Sequence, residues 1–264
     1  KEALRYLSFF NSNCGRYQEG IDWAKQYYEQ CQQPLECLSG TYLLLRALLN
    51  AGAWTEVEFL TRRHEKSIQD ILNLSLETLR KVDPEILIIS GMHLPYLRDT
   101  ASHNRKLQNQ LSHIFYQISA KPNVKKTSSS HQSLLKIGYI GNTFRKHSVG
   151  WLCRWLLQKH NQEEFDITLY LVYQQEDDLT QNFKGYVNRV RHLKNDYREA
   201  EKIREDEIDI LIDLDSITLP ITCQILSQKP APIQATWLGF DASGLPSIDY
   251  FIADPYVLPE NAQD

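Results

Sequence analysis

The sequence predicts an all-α, helical-repeat segment followed by an α/β domain built on a mostly parallel sheet. Three observations lead there. Residues 1 to about 80 carry apolar positions at helical spacing with no strand-like alternation, and more helix follows to Ser119. A stretch rich in Lys and Ser, 121–133, then interrupts the pattern; it contains Pro122 and the run Ser128-Ser129-Ser130. From Leu134 onward, short β-rich apolar runs alternate with amphipathic stretches, which is the signature of parallel strands with helices on both faces.

Within the helical segment two stretches resemble each other. Gly15-Arg16-Tyr17-Gln18-Glu19 and Gly52-Ala53-Trp54-Thr55-Glu56 share a Gly, an aromatic two residues on and a Glu two residues further. Amphipathic helices follow at Ile21 to Cys31 and Val57 to Leu72, and the offset lies close to the period of about 34 residues of tetratricopeptide repeats. The glycine is expected to turn the chain between helices and the aromatic to fill the groove between neighbours. An unrelated helical bundle is the alternative. Helix from Pro84 to Ser119 is expected to break near Gly91 to Pro95, and 121–133 cannot build a core, so it reads as a linker.

In the α/β part, strands are expected at Leu134 to Ile140, Ile167 to Tyr173, Ile208 to Leu214, Ile233 to Leu238 and Tyr250 to Ala253. Helices are expected at 149–160, 178–187, 198–206 and 219–228, and Val187 to Val190 is a further short strand-like run. Ligands in such sheets sit at the carboxyl ends of the strands. The loops Gly141 to Val149, Asp213 to Leu219 and Gly239 to Gly244 are therefore the places to look for chemistry.

Composition narrows the partners. Lys plus Arg number 29 against 33 Asp plus Glu, a formal net charge of −4, which argues against a nucleic-acid backbone. No apolar run is long enough to span a bilayer, and the first residues lack the apolar stretch of a signal peptide. The five cysteines show no C-x-x-C spacing and read as reduced thiols of a cytoplasmic protein, with no metal site. Both ends read as cut from a longer chain.

The first strand, Lys136-Ile137-Gly138-Tyr139-Ile140, runs into Gly141-Asn142-Thr143-Phe144-Arg145-Lys146-His147-Ser148-Val149-Gly150 and then a helix. His147 thus falls at a helix N-terminus, where the dipole favours anions and keeps an imidazole neutral, fit to act as a base. A plain helix cap is the competing role. Trp151 and Trp155, four apart on the following helix, are expected in the core. Asp213 and Asp215 are expected as solvated strand-end carboxylates. His192, His93 and His103 lie in no recognisable motif.

Gly138 to Val149 resembles the segment G-Y-[IV]-S-x-D-F-x-x-H-[SP]-V of the O-GlcNAc transferase/SPINDLY family, with Thr143 where the pattern has Asp. Lys229-Pro230-Ala231-Pro232-Ile233-Gln234-Ala235-Thr236-Trp237-Leu238-Gly239 is similar to the family's [KR]-P-A-P-[IV]-Q-x-x-W-L-G. There the prolines end a helix and enforce an extended entry, and Gly239 lets backbone approach a ligand. Phe240-Asp241-Ala242-Ser243-Gly244 stands where the pattern has a longer Y-P-G-T-[ST]-G, and Asp215-Ser216-Ile217-Thr218 where relatives often have Ser-Gly-His-Thr.

The resemblance covers 134–264 by motif and 1–120 by general architecture. It implies the N-terminal Rossmann-like half of a GT-B glycosyltransferase at 134–264, preceded by helical repeats at 1–120 and the 121–133 linker. It implies inverting transfer of a sugar, GlcNAc foremost, from a nucleotide donor to Ser or Thr of proteins. His147 would be the catalytic base; Leu238, Gly239, Phe240, Ser243 and Gly244 would line the donor sugar. The implied substrates are UDP-GlcNAc or GDP-fucose, with no cofactor and no metal, and a polypeptide acceptor received by the repeats. The nucleotide-binding half would lie outside this stretch, leaving the 264 residues inactive alone. The alternative is a repeat-type protein-binding adaptor with a degenerate glycosyltransferase domain, favoured by Thr143, Ile217 and the shortened loop.

Overall fold

The computed structural model describes residues 1–81, 83–120 and 134–259. The chain divides into two compact units, Lys1–Ile118 and Ser119–Asp264. The expected linker at 121–133 lies outside the described residues.

The first unit is helical throughout its described residues. Helices α1 (Glu2–Asn13), α2 (Tyr17–Glu29), α3 (Pro34–Ala51) and α4 (Trp54–Leu72) pack each on the next, and α3 also approaches α1. Both glycines of the internal repeat adopt left-handed backbone, Gly15 at φ 78° and Gly52 at φ 69°. Each helix end closes with the same bond: Arg16 N–H donates to Asn11 O at 2.9 Å, and Ala53 N–H to Leu48 O at 3.0 Å. The two stretches are thus equivalent in backbone as well as in residue type, a left-handed helix stop that a side chain would strain. The aromatics do not behave as expected. Tyr17 and Trp54 are exposed, and the inter-helix core is instead Ile21, Ala24, Tyr27, Leu44, Leu48, Val57 and Leu60. They stand in the first turns of α2 and α4, while the inward stripe begins later on each helix.

Short helices α5 (Leu76–Leu79), α6 (Glu85–Ser90) and α7 (Leu94–Leu97) follow, with a 3-10 turn at Gly91–His93 where the break was expected. Helix α8 (Ala101–Ser119) ends the unit. His64 on α4 is fully buried: Nδ1 meets Thr41 Oγ1 at 2.9 Å and Nε2 meets Ser90 O at 2.9 Å. The carbonyl can only accept, so Nε2 carries the proton. Burial pushes His64 down to about 4, and it does the same to His93, which stacks on Tyr42 at 5.0 Å.

The second unit holds a six-stranded sheet, β1 (Leu135–Gly141), β2 (Phe165–Val172), β3 (Arg189–Leu193), β4 (Ile210–Asp213), β5 (Ile233–Trp237) and β6 (Tyr250–Ile252). The order is β3-β2-β1-β4-β5-β6 and every pairing is parallel. Helices α9 (Ser148–Lys159), α10 (Asp178–Lys184), α11 (Ala200–Glu205) and α12 (Pro220–Ser227) connect the strands. Ile137, Tyr139, Ile167, Leu169 and Leu171 line one sheet face and pack with Val149, Cys153 and Leu157 of α9 and Leu179 and Phe183 of α10. The order reverses between β1 and β4, a topological switch that opens a crevice at the strands' carboxyl ends.

Two expectations fail here. Trp151 and Trp155 are 49% and 61% exposed, because α9 buries the 149/153/157 stripe and turns these two rings outward. Asp213 and Asp215 are 0% and 2% exposed, because the chain after β4 folds down over the sheet edge instead of leaving it.

Candidate functional site

Parallel pairing puts the loops after β1, β4 and β5 on one edge of the sheet, with β4 between the other two. The loops bearing His147 and Gly239 therefore share an edge.

His147 is the N-cap of α9, with extended backbone, and its Nδ1 accepts from Val149 N–H at 3.3 Å. An Nδ1 that accepts leaves the proton of the neutral ring on Nε2. Burial, and secondarily the Arg145 guanidinium, hold His147 below its ordinary value, so the ring is neutral at pH 7. Two tight backbone bonds shape the loop before it: Arg145 N–H to Thr143 O at 2.7 Å and His147 N–H to Arg145 O at 2.6 Å. The loop lies so close on α9 that a Cβ at Gly150 would stand 2.2 Å from Arg145 O and 2.6 Å from Thr143 O.

The β2–α10 connection clamps this loop. Gln174 exchanges two bonds with the Phe144 backbone, at 3.1 and 2.8 Å, and Thr180 Oγ1 donates to Phe144 O at 2.7 Å. Asp177 Oδ2 accepts Lys146 N–H at 2.7 Å while its Oδ1 caps α10 through Leu179 and Thr180 N–H. Phe144 itself is fully buried, edge-on to Phe183 at 5.9 Å. Sequence reasoning missed this clamp, although Asp177-x-x-Thr180 is a readable capping signal.

On β5 the chain turns sharply at Leu238, whose φ of 65° is left-handed, and Gly239 N–H reaches back to Trp237 O at 2.8 Å. Tyr173 after β2 and Ser216 after β4 are left-handed too, so three strands end on strained non-glycine residues at this one edge. Gly239 lies close against the β4 turn: a Cβ there would stand 2.9 Å from Leu214 O and 3.1 Å from the Asp215 carbonyl carbon. Phe240 is half-buried. Ser243 is buried, its Oγ accepting Leu245 N–H at 3.3 Å, and Gly244 follows at φ 71°.

Between them sits the β4 turn. Asp213 accepts from Asp215 N–H (3.0 Å), Ser216 N–H (3.1 Å) and Thr236 Oγ1 (3.2 Å). Asp215 Oδ2 accepts Asn142 N–H at 2.7 Å. Ser216 Oγ donates to Asp241 O in the β5–β6 loop. Burial raises both carboxyl groups, and the neighbouring Asp213 raises Asp215 further. Elsewhere, His192 lies within β3, exposed and 3.3 Å from Glu176. Ile217, at the position of the pattern's His, is buried. Among the described residues, no group of three or more His, Cys, Asp or Glu is arranged to hold a metal, and no helix is long and apolar enough to cross a membrane.

This arrangement is a doubly wound parallel sheet with the β1 and β4 loops at its topological switch. The model of Glycosyl transferase family 41 matches residues 54–264, and the chain belongs to that family. The match begins at the start of α4, so it takes in much of the helical unit that motifs alone did not reach. Among curated proteins, the probable UDP-N-acetylglucosamine–peptide N-acetylglucosaminyltransferase SPINDLY of Solanum lycopersicum is 33% identical over 136 residues, 49% of this chain and 15% of that protein. The similarly described SEC protein of Arabidopsis thaliana is 29% identical over 131 residues, 47% of this chain and 13% of its own length. In fold, a mutant O-GlcNAc transferase of Thermobaculum terrenum matches at a TM-score of 0.75 and 21% identity, over 99% of this chain and 48% of that one. The chain thus spans about half of the solved relative and a smaller part of the curated ones.

Proposed function

We propose that this chain is part of a protein O-glycosyltransferase that transfers GlcNAc from UDP-GlcNAc to Ser or Thr of polypeptides with inversion. GDP-fucose is the second donor to test. The reading divides the chain into acceptor-binding repeats at 1–120, a linker at 121–133 and a catalytic half-domain at 134–264. His147 faces the acceptor hydroxyl, and Leu238, Gly239, Phe240, Ser243 and Gly244 border the donor sugar. The observation that carries it is the shared edge of the β1 and β5 loops in a chain of family 41. The relatives' described activity on peptides supports the acceptor class.

The geometry sets a condition on His147. With Nδ1 engaged by Val149 N–H, the ring offers a proton at Nε2, which orients an acceptor hydroxyl but does not deprotonate it. Base action requires the ring to give up the Val149 bond and change tautomer. Catalysis otherwise rests on positioning. In the protein that contains this chain, His147→Ala is expected to lower turnover by about 10²-fold or more. Unchanged turnover in a transfer assay would leave His147 as the cap of α9 only.

The 264 residues alone are predicted inactive. Lys146 is already paired with Asp178 at 2.9 Å, and Arg145 Nε is bound to Asn142 O at 3.2 Å, which leaves little to neutralise a diphosphate. Calorimetry with UDP-GlcNAc and GDP-fucose is expected to show binding no tighter than about 1 mM, about −4 kcal/mol. Micromolar binding would place the nucleotide site within this chain and overturn that expectation. A second reading, a protein-binding adaptor, is favoured by one observation: Ile217 is buried where the family pattern carries His. It predicts acceptor binding without transfer.

A further inference from the structure

The β4 turn holds a carboxyl group that the reading above leaves without a role. Asp215 Oδ2 takes the Asn142 N–H at 2.7 Å, and a Cβ at Gly141 would stand 3.0 Å from the same oxygen. The Thr143 hydroxyl bears on the same carboxyl group. Yet Asp215 Oδ1 and Thr143 Oγ1 are both buried and neither completes a hydrogen bond of standard geometry. One acid from β4 therefore lies against three consecutive residues of the β1 loop, Gly141, Asn142 and Thr143. On its other side Gly239 presses on the backbone of Leu214 and Asp215. The same side chain touches the loop that leads to His147 and belongs to the turn that supports Gly239.

Burying a second carboxyl beside Asp213 is costly, and nothing in sheet packing demands an acid at this position. Its partner across the contact is the hydroxyl of Thr143, so one acid and one hydroxyl meet between the two turns. We propose that Asp215 is the positioning residue of the His147 loop, a carboxyl group on the β4 turn that holds Gly141–Thr143 in place beside the neighbouring strand.

The proposal rests on the reading above only in giving His147 a substrate to face; the contact itself can be tested on this chain without any transfer assay. The probe is a double-mutant cycle of Thr143→Asp, Asp215→Ser and the exchanged pair, followed by urea unfolding and by the imidazole nitrogen shifts of His147 in NMR. Each single change is expected to lower the unfolding midpoint and displace the His147 signals. Thr143→Asp crowds a third acid beside Asp213 and Asp215, and Asp215→Ser strips the acceptor from Asn142 N–H. The exchanged pair is expected to recover at least half of the summed loss and to return the His147 signals toward their original positions. Asp215→Asn, which keeps volume and an acceptor, provides a folded background if Asp215→Ser does not fold; there Thr143→Asp is expected to cost less than half of what it costs beside Asp215. Additive losses in either cycle overturn the proposal. So does an exchange that restores stability while the His147 signals stay displaced. If this chain passes the cycle while the protein that contains it never transfers sugar, the assigned function is refuted and the positioning role stays intact.

Discussion

The helical unit and the β4 turn bury ionisable groups of opposite kind, and the consequences for stability run in opposite directions. In the helical unit the buried groups are His64 and His93, both pushed down to about 4 by burial. At the β4 turn of the α/β unit they are Asp213 and Asp215, both pushed up, again by burial first, whereas the buried Asp206 of the same unit is held down against burial by Arg191 and Tyr170. Burial favours the neutral form in each case. Neutral His means a proton absent, so acid opposes the packing around His64 and His93; neutral Asp means a proton retained, so alkali opposes the β4 turn. His64 is satisfied on both nitrogens, whereas His93 Nδ1 and Asp215 Oδ1 are each left without a standard partner. Asp215 differs from His93 in its place: it sits at the strained edge where function is expected, which is where proteins tolerate unfavourable local chemistry.

The largest effect that sharpens this contrast is acid sensitivity of the helical unit. The unfolded histidines bind protons below about 6.5 and the folded ones only near 4, so stability is full above about pH 6.5 and is lost as pH falls toward 4. Each group is worth up to about 3 kcal/mol across that window. Hydrogen exchange, corrected for intrinsic rate and read over residues 1–118, is expected to lose protection between pH 6.5 and 4. His64→Gln should flatten that dependence. A flat profile in the unsubstituted chain would mean that both rings are solvated.

The β4 turn should respond with the other sign. Asp213 and Asp215 contribute most below the ordinary carboxylate range, and that contribution is lost as pH rises through their raised values. Asp213→Asn removes the charge that forms on raising pH, while its amide oxygen still accepts from Asp215 and Ser216 N–H. Protection over β1, β4 and β5 is therefore expected to fall with rising pH in the parent chain and to fall less in Asp213→Asn. Equal slopes would show that Asp213 stays ionised and paired throughout.

A smaller effect concerns the strained edge. Tyr173 is exposed and left-handed at φ 45°, so its side chain contributes little packing to set against its backbone cost. Tyr173→Gly is expected to raise unfolding stability by up to about 1 kcal/mol, the αL penalty less the extra entropy of an unfolded glycine. A loss in thermal unfolding would show that the ring is covered.

Much of this was readable from residue order. The alternation of β-rich runs and amphipathic stretches leads to parallel strands because each needs a crossover, and the Gly15 and Gly52 stops are visible because few other residues tolerate that backbone. What escaped were contacts between residues far apart in sequence. Nothing local marks Asp213 and Asp215 as buried, since strand-end acids are usually solvated; only the fold of Leu214–Thr218 over the edge encloses them. Nor does local sequence tie Gln174 and Asp177 to the His147 loop across some thirty positions. The tryptophans of α9 depart from expectation for a different reason: their spacing suggests an inward face, but 149/153/157 already forms a complete buried stripe.

That departure leads to the smallest expected effect. Trp155 is 61% exposed on α9, and its ring is approached by the Arg154 guanidinium at 5.5 Å from the centroid. Exposed cation–π contacts contribute about 0.5–1 kcal/mol at most, and the helix keeps its buried stripe without this residue. Trp155→Gln, which preserves helix propensity, is therefore expected to shift unfolding stability by no more than about 0.5 kcal/mol, the scale of an ordinary surface change. A buried core tryptophan would cost about 3–5 kcal/mol on truncation, so the two roles are separated by far more than the error of a denaturant titration. A loss on that larger scale would mean that α9 packs its 151/155 face inward in solution. The stripe through Cys153 would then have to face outward, and Cys153→Ser, silent on an exposed face, decides between the two orientations independently of the tryptophan.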